Sequence, residues 1–374
     1  MRDFIVFGED FGGLPSSTQH LISHLPVDCR VLWVNSIGLR QPRLNRHDIR
    51  RALGKLFGQS KQGYQQEKTR PAANISVVNL LTIPAPRSRW SRTLAREMMR
   101  FQLKIILREF RLNNPVLWTS LPTAADLCGS LGESHVVYYC GDDFSALAGV
   151  DHQTVSRHEA ELVDKADLIL AASPALQEKF PAKKTCLLPH GVDTGLFSTP
   201  APRADDLPQH GPVAGFYGSL SSWLDYALIE QAACALPHWQ FVFIGPQAQS
   251  RSPLPELPNI HQLGPRAHHQ LPAYCQHWDV SLLPFVLNPQ INACNPLKLL
   301  EYLAAGSPVI TTDYPAINPY RPHLNVIDGA ASMIDALNRY EKNPDNLKKA
   351  PVAIVQQESW EQRSHVVSQF LECL

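Results

Sequence analysis

The chain is 374 residues long and 44% hydrophobic, enough to build two domains with a core each. Basic and acidic side chains balance at 34 each, yet residues 1–110 hold 18 Lys and Arg against 8 Asp and Glu, leaving 16 against 26 in the remainder. That split suits a basic region facing an anionic membrane surface or a pyrophosphate-bearing acceptor, or simply a solvated basic face; with no RNA- or DNA-binding motif, nucleic acid is not an expected partner.

There is neither an apolar run of about 18 residues nor a signal-peptide pattern ahead of "FIVFG", so the expected location is cytoplasmic, at most peripheral at the inner face of the cytoplasmic membrane. The eight cysteines are scattered without a C-x-x-C pair, which argues for reduced thiols and against zinc or a redox motif.

In chain order, short apolar runs alternate with helical patterns: "FIVFG" (4–8), "RVLWVN" (30–35), "ISVVNL" (75–80), "PVLWTS" (115–120), "HVVYYC" (135–140), "DLILAAS" (167–173) and "TCLLP" (185–189). The pattern then restarts after a Pro- and Asp-rich interval, "TPAPRADDLPQHGP" (199–212), with "VAGFYGS" (213–219), "FVFIG" (241–245), "DVSLLPF" (279–285) and "PVITT" (308–312). The alternation predicts parallel sheets covered by helices, and the restart places an interdomain linker at that interval. The expected class is α/β, two doubly wound domains facing across a cleft, with ligands at the carboxyl ends of the strands.

The strand-end loops are therefore where chemistry is sought. After the first strand, Gly12 and Gly13 permit positive φ and close backbone approach, and Ser16 or Ser17 can cap the next helix. This is not the G-x-G-x-x-G fingerprint, so a nicotinamide cofactor is not indicated. Two basic helical patterns follow, "HDIRRALGKLFGQ" (47–59), with Arg50, Arg51 and Lys55 beside an apolar face, and "RSRWSRTLAREMMRFQLKIILREFR" (87–111). Either can lie on an anionic bilayer, and the second can equally be a core-packing helix with a basic outer face. Asp142 and Asp143 follow the strand at 135–140, where a carboxylate can take a proton from an attacking hydroxyl or can serve a turn or helix cap. His190 and Gly191 follow the strand at 185–189, where a histidine in a turn is either catalytic or structural.

Gly218, Ser219 and Leu220 lie between a strand and a helix, so their backbone N–H groups and a hydroxyl can meet phosphate oxygens. The turns Gly245-Pro246 and Gly264-Pro265 can border a base pocket. In "NPLKLLEYLAAGSPVITT" (295–312), Asn295 is expected as N-cap, Pro296 at the first helical position, and Gly306 with Pro308 as the stop, giving a helix over 296–305. Lys298 in its first turn opposes the helix dipole unless an anion binds there. Glu301, one turn on, can accept hydrogen bonds from the vicinal hydroxyls of a ribose. Together they match a nucleoside diphosphate; the alternative is an exposed i,i+3 ion pair.

The strings "LPHGVDTGLF" (188–197), "GFYGSLSSWLDYALIEQAACALPHWQFVFIGP", "NIHQLGPRAHHQLPAYCQHWDVSLLPF" and "NPLKLLEYLAAGSPVITT", in this order and spacing, resemble the GT-B glycosyltransferases. The likeness is greatest to bacterial family-4-type enzymes of teichuronic acid and exopolysaccharide synthesis, and "LPSSTQHLISHL" and "VVYYCGDDFS" extend it over most of the chain. The resemblance implies two Rossmann-like domains at about 1–195 and 196–357, with a last helix at about 358–374 crossing back onto the first. It implies a nucleotide-sugar donor, UDP-linked by expectation, held by the second domain, an acceptor on the first that is lipid-linked or a growing saccharide, and no cofactor or metal. Carried over, Glu301 corresponds to the glutamate that holds the donor ribose, Lys298 and Ser219 lie near the diphosphate, and Gly218 gives close backbone approach. Leu220, Gly245, Phe285, Pro296 and Leu297 complete the implied donor set, Gly12 and Gly13 fall on the acceptor side, and Asp142, Asp143 and His190 are the catalytic candidates.

Two departures argue against the retaining machinery: Ala293 stands where many members carry a second glutamate, and the Gly-Asp-Asp turn stands where they often place a histidine. That turn resembles the xanthan glucuronosyltransferases, which invert, and so points to Asp142 as general base with Asp143 as competitor. Other readings are a nucleotide-sugar epimerase of the same fold and a non-catalytic nucleotide-sugar-binding partner of a polysaccharide assembly complex.

Overall fold

The structure, a computed structural model, describes residues 2–13, 16–36, 71–83, 88–145, 152–247, 252–351 and 353–374. The basic pattern expected at 47–59 lies outside the described residues. The chain divides into two units, Met1–Pro189 with Ser364–Leu374, and His190–Arg363.

The first unit is built on a seven-stranded sheet of β1 (Phe4–Phe7), β2 (Val31–Val34), β3 (Ile75–Val78), β4 (Val116–Thr119), β5 (His135–Cys140), β6 (Leu168–Ala171) and β7 (Thr185–Leu187), in the order β3-β2-β1-β4-β5-β6-β7. Every pairing is parallel. The cause is legible in composition: "FIVF", "VLWV", "VLWT" and "LILA" are buried at every position, as strands covered by helices on both faces must be. Trp33, Trp118, Tyr138 and Tyr139 fill this core.

The second unit repeats the plan with six parallel strands, β8 (Val213–Tyr217), β9 (Gln240–Ile244), β10 (Ile260–Gly264), β11 (Val280–Leu283), β12 (Val309–Thr312) and β13 (Asn325–Ile327), in the order β10-β9-β8-β11-β12-β13. Strand order reverses between β1 and β4 in one sheet and between β8 and β11 in the other. A doubly wound sheet opens its ligand crevice at that reversal, beyond the carboxyl ends of the strands.

Each expected apolar run forms a strand. β10 and β13, at opposite edges of the second sheet, add to them: β10 is nowhere fully buried, and β13 is three residues long. The interval 199–212 is not a linker but a packed part of the second unit, because the Ala201 N–H donates to Gln276 Oε1 (2.8 Å), the Ala204 N–H donates to the Ala273 carbonyl (3.0 Å) and Leu207 is buried. The division falls after Pro189, ahead of the 195/196 boundary expected. The last helix is Trp360–Glu372, and from Ser364 onward it belongs to the first unit, with the Ser364 hydroxyl donating to the Leu21 carbonyl (2.8 Å) and Arg2 donating to the Leu371 carbonyl (3.0 Å).

Candidate functional site

At the reversal of the second sheet, the loops after β8 and β9 meet through two glycines. Gly218 has φ 141° and Gly245 has φ 142°, and a Cβ on Gly245 would lie 1.9 Å from the Gly218 carbonyl oxygen. Only a residue without a side chain fits there. The Gly218 N–H donates to the Ile244 carbonyl (2.8 Å) and the Leu220 N–H to the Pro246 carbonyl (2.9 Å). Of the three backbone groups expected to meet phosphate, these two are therefore committed to joining the loops, and the hydroxyl and N–H of Ser219 are the phosphate-capable groups left. Phe285, after β11, is buried and pairs its backbone with Leu224 across the same end of the sheet.

The helix expected over 296–305 spans Leu297–Ala304. Pro296, not Asn295, is its N-cap, with φ −78° and ψ 114° and no side-chain capping bond. The proline ring fixes φ near the value it needs, and the extended ψ places the turn one residue later than the Asn-Pro pattern implies. Leu297 opens the helix, and Lys298 is in its first turn. The Lys298 side chain lies over Gly218, since a Cβ there would come within 2.2 Å of Cε and 3.0 Å of Nζ. The structure thus joins Gly218 and Lys298, 80 residues apart in sequence, beside the positive end of a helix dipole.

Glu301 is not an exposed ion-pair residue: it is 8% accessible, and both carboxylate oxygens have partners. Tyr217, at the end of β8, donates its hydroxyl to Oε2 (2.7 Å), and His268 Nε2 lies 2.8 Å from Oε1. Tyr217 is held in turn, its N–H donating to the Tyr302 hydroxyl (3.1 Å) and its ring set edge-on to Tyr302. Phe197 packs edge-on against His268. Burial would raise the Glu301 carboxyl, but the bond and charge of His268, with Tyr217 and Lys298, hold it below the usual carboxylate range. Burial would lower the His268 imidazole, but Glu301, with Asp193 adding its charge, raises it overall. The result is a carboxylate fixed in one orientation by a histidine and a tyrosine, with each carboxylate oxygen retaining a lone pair. His268 and Tyr217 carry no local sequence signal; one sits in a three-residue turn and the other in an apolar strand.

In the first unit, Gly12 has φ 74° and its N–H donates to Gln19 Oε1 (3.3 Å). Gly13 closes a turn onto the Asp10 carbonyl (3.0 Å), and Ser16 caps the helix Ser17–Ser23. After β5 the two aspartates separate. Asp143 Oδ1 accepts from Lys179 Nζ (2.5 Å) and from the N–H and hydroxyl of Ser145 (3.0 and 2.6 Å). Burial pushes its carboxyl up, but Lys179 and Ser145 bring it down overall, so it is held as a turn-forming carboxylate. Asp142 is exposed. A further carboxyl at this strand end was missed in the sequence: Glu159 of the helix His152–Lys165 is buried, accepts from the Tyr138 hydroxyl (2.7 Å), and is pushed up by burial. His190, grouped by sequence with the first domain, belongs to the second unit. It is buried beside Trp360, and burial, helped by the Arg363 charge, lowers it to about 4, so it is neutral near pH 7. Ala293 is buried at the end of the helix Pro289–Ala293.

Two all-parallel doubly wound units of seven and six strands give an α/β protein with the GT-B fold. Residues 211–343, which hold the glycine pair, Lys298 and Glu301, match the family described as Glycosyl transferases group 1. Over 221 residues the chain is 31% identical to the protein of Bacillus subtilis (strain 168) named as the teichuronic acid biosynthesis glycosyltransferase TuaH. That match covers 54% of this chain and 56% of the relative, so it spans little more than half the relative's length. The fold is similar to that of HepE of Anabaena, solved with UDP and glucose (TM-score 0.67, 15% identity, 99% of both chains). It is also similar to a sucrose-phosphate synthase of Thermosynechococcus elongatus (TM-score 0.69, 16% identity, 99% of this chain and 98% of that one).

Proposed function

We propose that this chain is a glycosyltransferase that moves a sugar from a nucleoside-diphosphate donor to a saccharide acceptor in cell-surface polysaccharide synthesis. The carrying observation is one short helix that sets Lys298 over Gly218 and, one turn on, presents Glu301 clamped by His268 and Tyr217. Lys298, the helix N-terminus and Ser219 meet the donor diphosphate in place of a metal ion, and Glu301 accepts from the ribose hydroxyls. UDP is the favoured nucleotide, supported by the solved relative holding UDP and glucose and, for the polysaccharide context, by TuaH. The acceptor is lipid-linked or a growing chain, used at the inner face of the cytoplasmic membrane.

Asp142 is the proposed general base. Asp142 is exposed at a strand end, and Asp143 is taken up in a turn with Lys179 and Ser145. It takes the acceptor hydroxyl proton as that oxygen bonds the anomeric carbon and the bond to the diphosphate breaks, which inverts the configuration. The test of the donor site is thermal shift with a panel of UDP- and GDP-sugars. At least one should raise the melting temperature of the wild type and none that of Glu301→Ala; equal shifts in both proteins would remove Glu301 from the donor site.

A further inference from the structure

Among the described residues, the helix Arg89–Phe110 is anchored on one side. Ala95, Met99 and Leu103 are buried, and Arg92 ties it inward, donating through Nε to Asp126 (2.7 Å) and through Nη1 to Glu161 (2.8 Å). The opposite side carries an apolar stripe exposed to solvent: Trp90 (87%), Leu94 (56%), Phe101 (69%) and Ile105 (47%). Steps of four, seven and four residues keep these on one face, over about 22 Å of helix at 1.5 Å per residue. Leu81, also exposed, is pinned alongside, its N–H and carbonyl both bonded to the Gln102 side-chain amide (2.9 and 2.8 Å). A row of four large apolar groups on a well-anchored helix, with Leu81 beside it, is not leftover surface.

The flank identifies what covers it. Arg89, Arg96, Arg100 and Lys104 line one side of the stripe, and Glu97, four residues before Phe101, is taken up by Arg96 and Arg100. An apolar stripe with Trp at one end and a basic border is the pattern of a helix lying in a bilayer interface: the rings enter the headgroup boundary and the cations meet lipid phosphates. A second copy of this helix would bring another basic border and no matching acidic one. No helix among the described residues is long and apolar enough to cross a membrane, so the contact is with its surface.

We infer that the face of Trp90, Leu94, Phe101 and Ile105 is the surface by which the protein lies on an anionic membrane. This deepens the proposed function, resting on its reading of a membrane-held acceptor, and places membrane contact on a structured helix. The test is co-sedimentation of the full chain, without donor or acceptor, with vesicles of phosphatidylcholine alone or containing phosphatidylglycerol; failure here leaves the donor-site test above standing.

Wild type should bind the anionic vesicles and not the neutral ones. The combined variant W90S/F101S, at exposed positions and checked for an unchanged melting temperature, should bind at least about tenfold more weakly. Arg100→Gln and Lys104→Gln should each weaken binding about fivefold and flatten its salt dependence. Equal binding by W90S/F101S would overturn the inference. So would a wild type that ignores anionic vesicles, including one that instead dimerises through this face, as shown by loss of the dimer in W90S/F101S.

Discussion

The imidazole of His268 decides whether Glu301 is held as a hydrogen-bond acceptor. Its raised pKa means that the folded state binds the proton more tightly than the unfolded chain, so its contribution is full below the ordinary value of 6.5 and fades as pH rises through the raised one. For Glu301 the sign is opposite: its lowered pKa gives stability that is full above the ordinary 4.5 and is lost as pH falls through the lowered value. The pair therefore stabilises most between those two ordinary values. His268→Gln should cost about 3 kcal/mol in that window, the low end for removing one member of a largely buried ion pair. Urea unfolding of both proteins across pH is the check. The cost should shrink above pH 6.5, where the imidazole of the unfolded chain loses its proton, and reach its minimum above the raised value; a difference independent of pH would show that charge plays no part.

Local chemistry made Lys298 and Glu301 legible, since a cation at a helix N-terminus and a carboxylate in an apolar helix each need an explanation. Their partners were not legible, because Tyr217 and His268 reach Glu301 from 84 and 33 residues away through the parallel sheet. The two aspartates show the same limit. Adjacent in sequence and alike in chemistry, they part only when Lys179, 36 residues on, pairs with Asp143.

At the scale of elements, the loops after β8 and β9 behave as one unit because Gly245 seats against the Gly218 carbonyl. The two glycines should respond differently to Ala. Both conformations disfavour a side chain, but a methyl at 245 meets backbone at 1.9 Å, while one at 218 meets the movable end of Lys298 at 2.2 Å. Gly245→Ala should thus cost about 3 kcal/mol or more through displaced loops. Gly218→Ala should cost less stability but weaken nucleotide binding by moving the Lys298 amine. Melting temperature and nucleotide titration on both variants separate the effects, and the reverse ranking would contradict them. Most strands were legible as continuous apolar runs, since a parallel sheet buries both faces of its strands. The edge strands β10 and β13 were not, because an edge needs less apolar sequence than a centre. The Pro- and Asp-rich interval misled for a related reason: its polar residues bond the helix and turn beneath it, as Asp206 does with Arg266 and Tyr274, and so look like linker when read alone.

For the whole molecule, two sheets that each reverse their strand order give two crevices, and the proposed labour follows the chemistry at each. The second unit holds the clamped glutamate and the lysine over glycine; the first carries the exposed aspartate after β5 and the basic helix whose apolar side faces out. The measurement closest to the central claim is release of nucleoside diphosphate from a panel of UDP- and GDP-sugars by purified wild type and by Asp142→Asn, with binding of the same donors followed in parallel. Wild type should cleave at least one donor. Asp142→Asn should bind that donor as tightly and release diphosphate about a hundredfold or more slowly. No cleavage of any nucleotide sugar by wild type, or equal rates in the two proteins, would contradict transfer by this chain with Asp142 as its base.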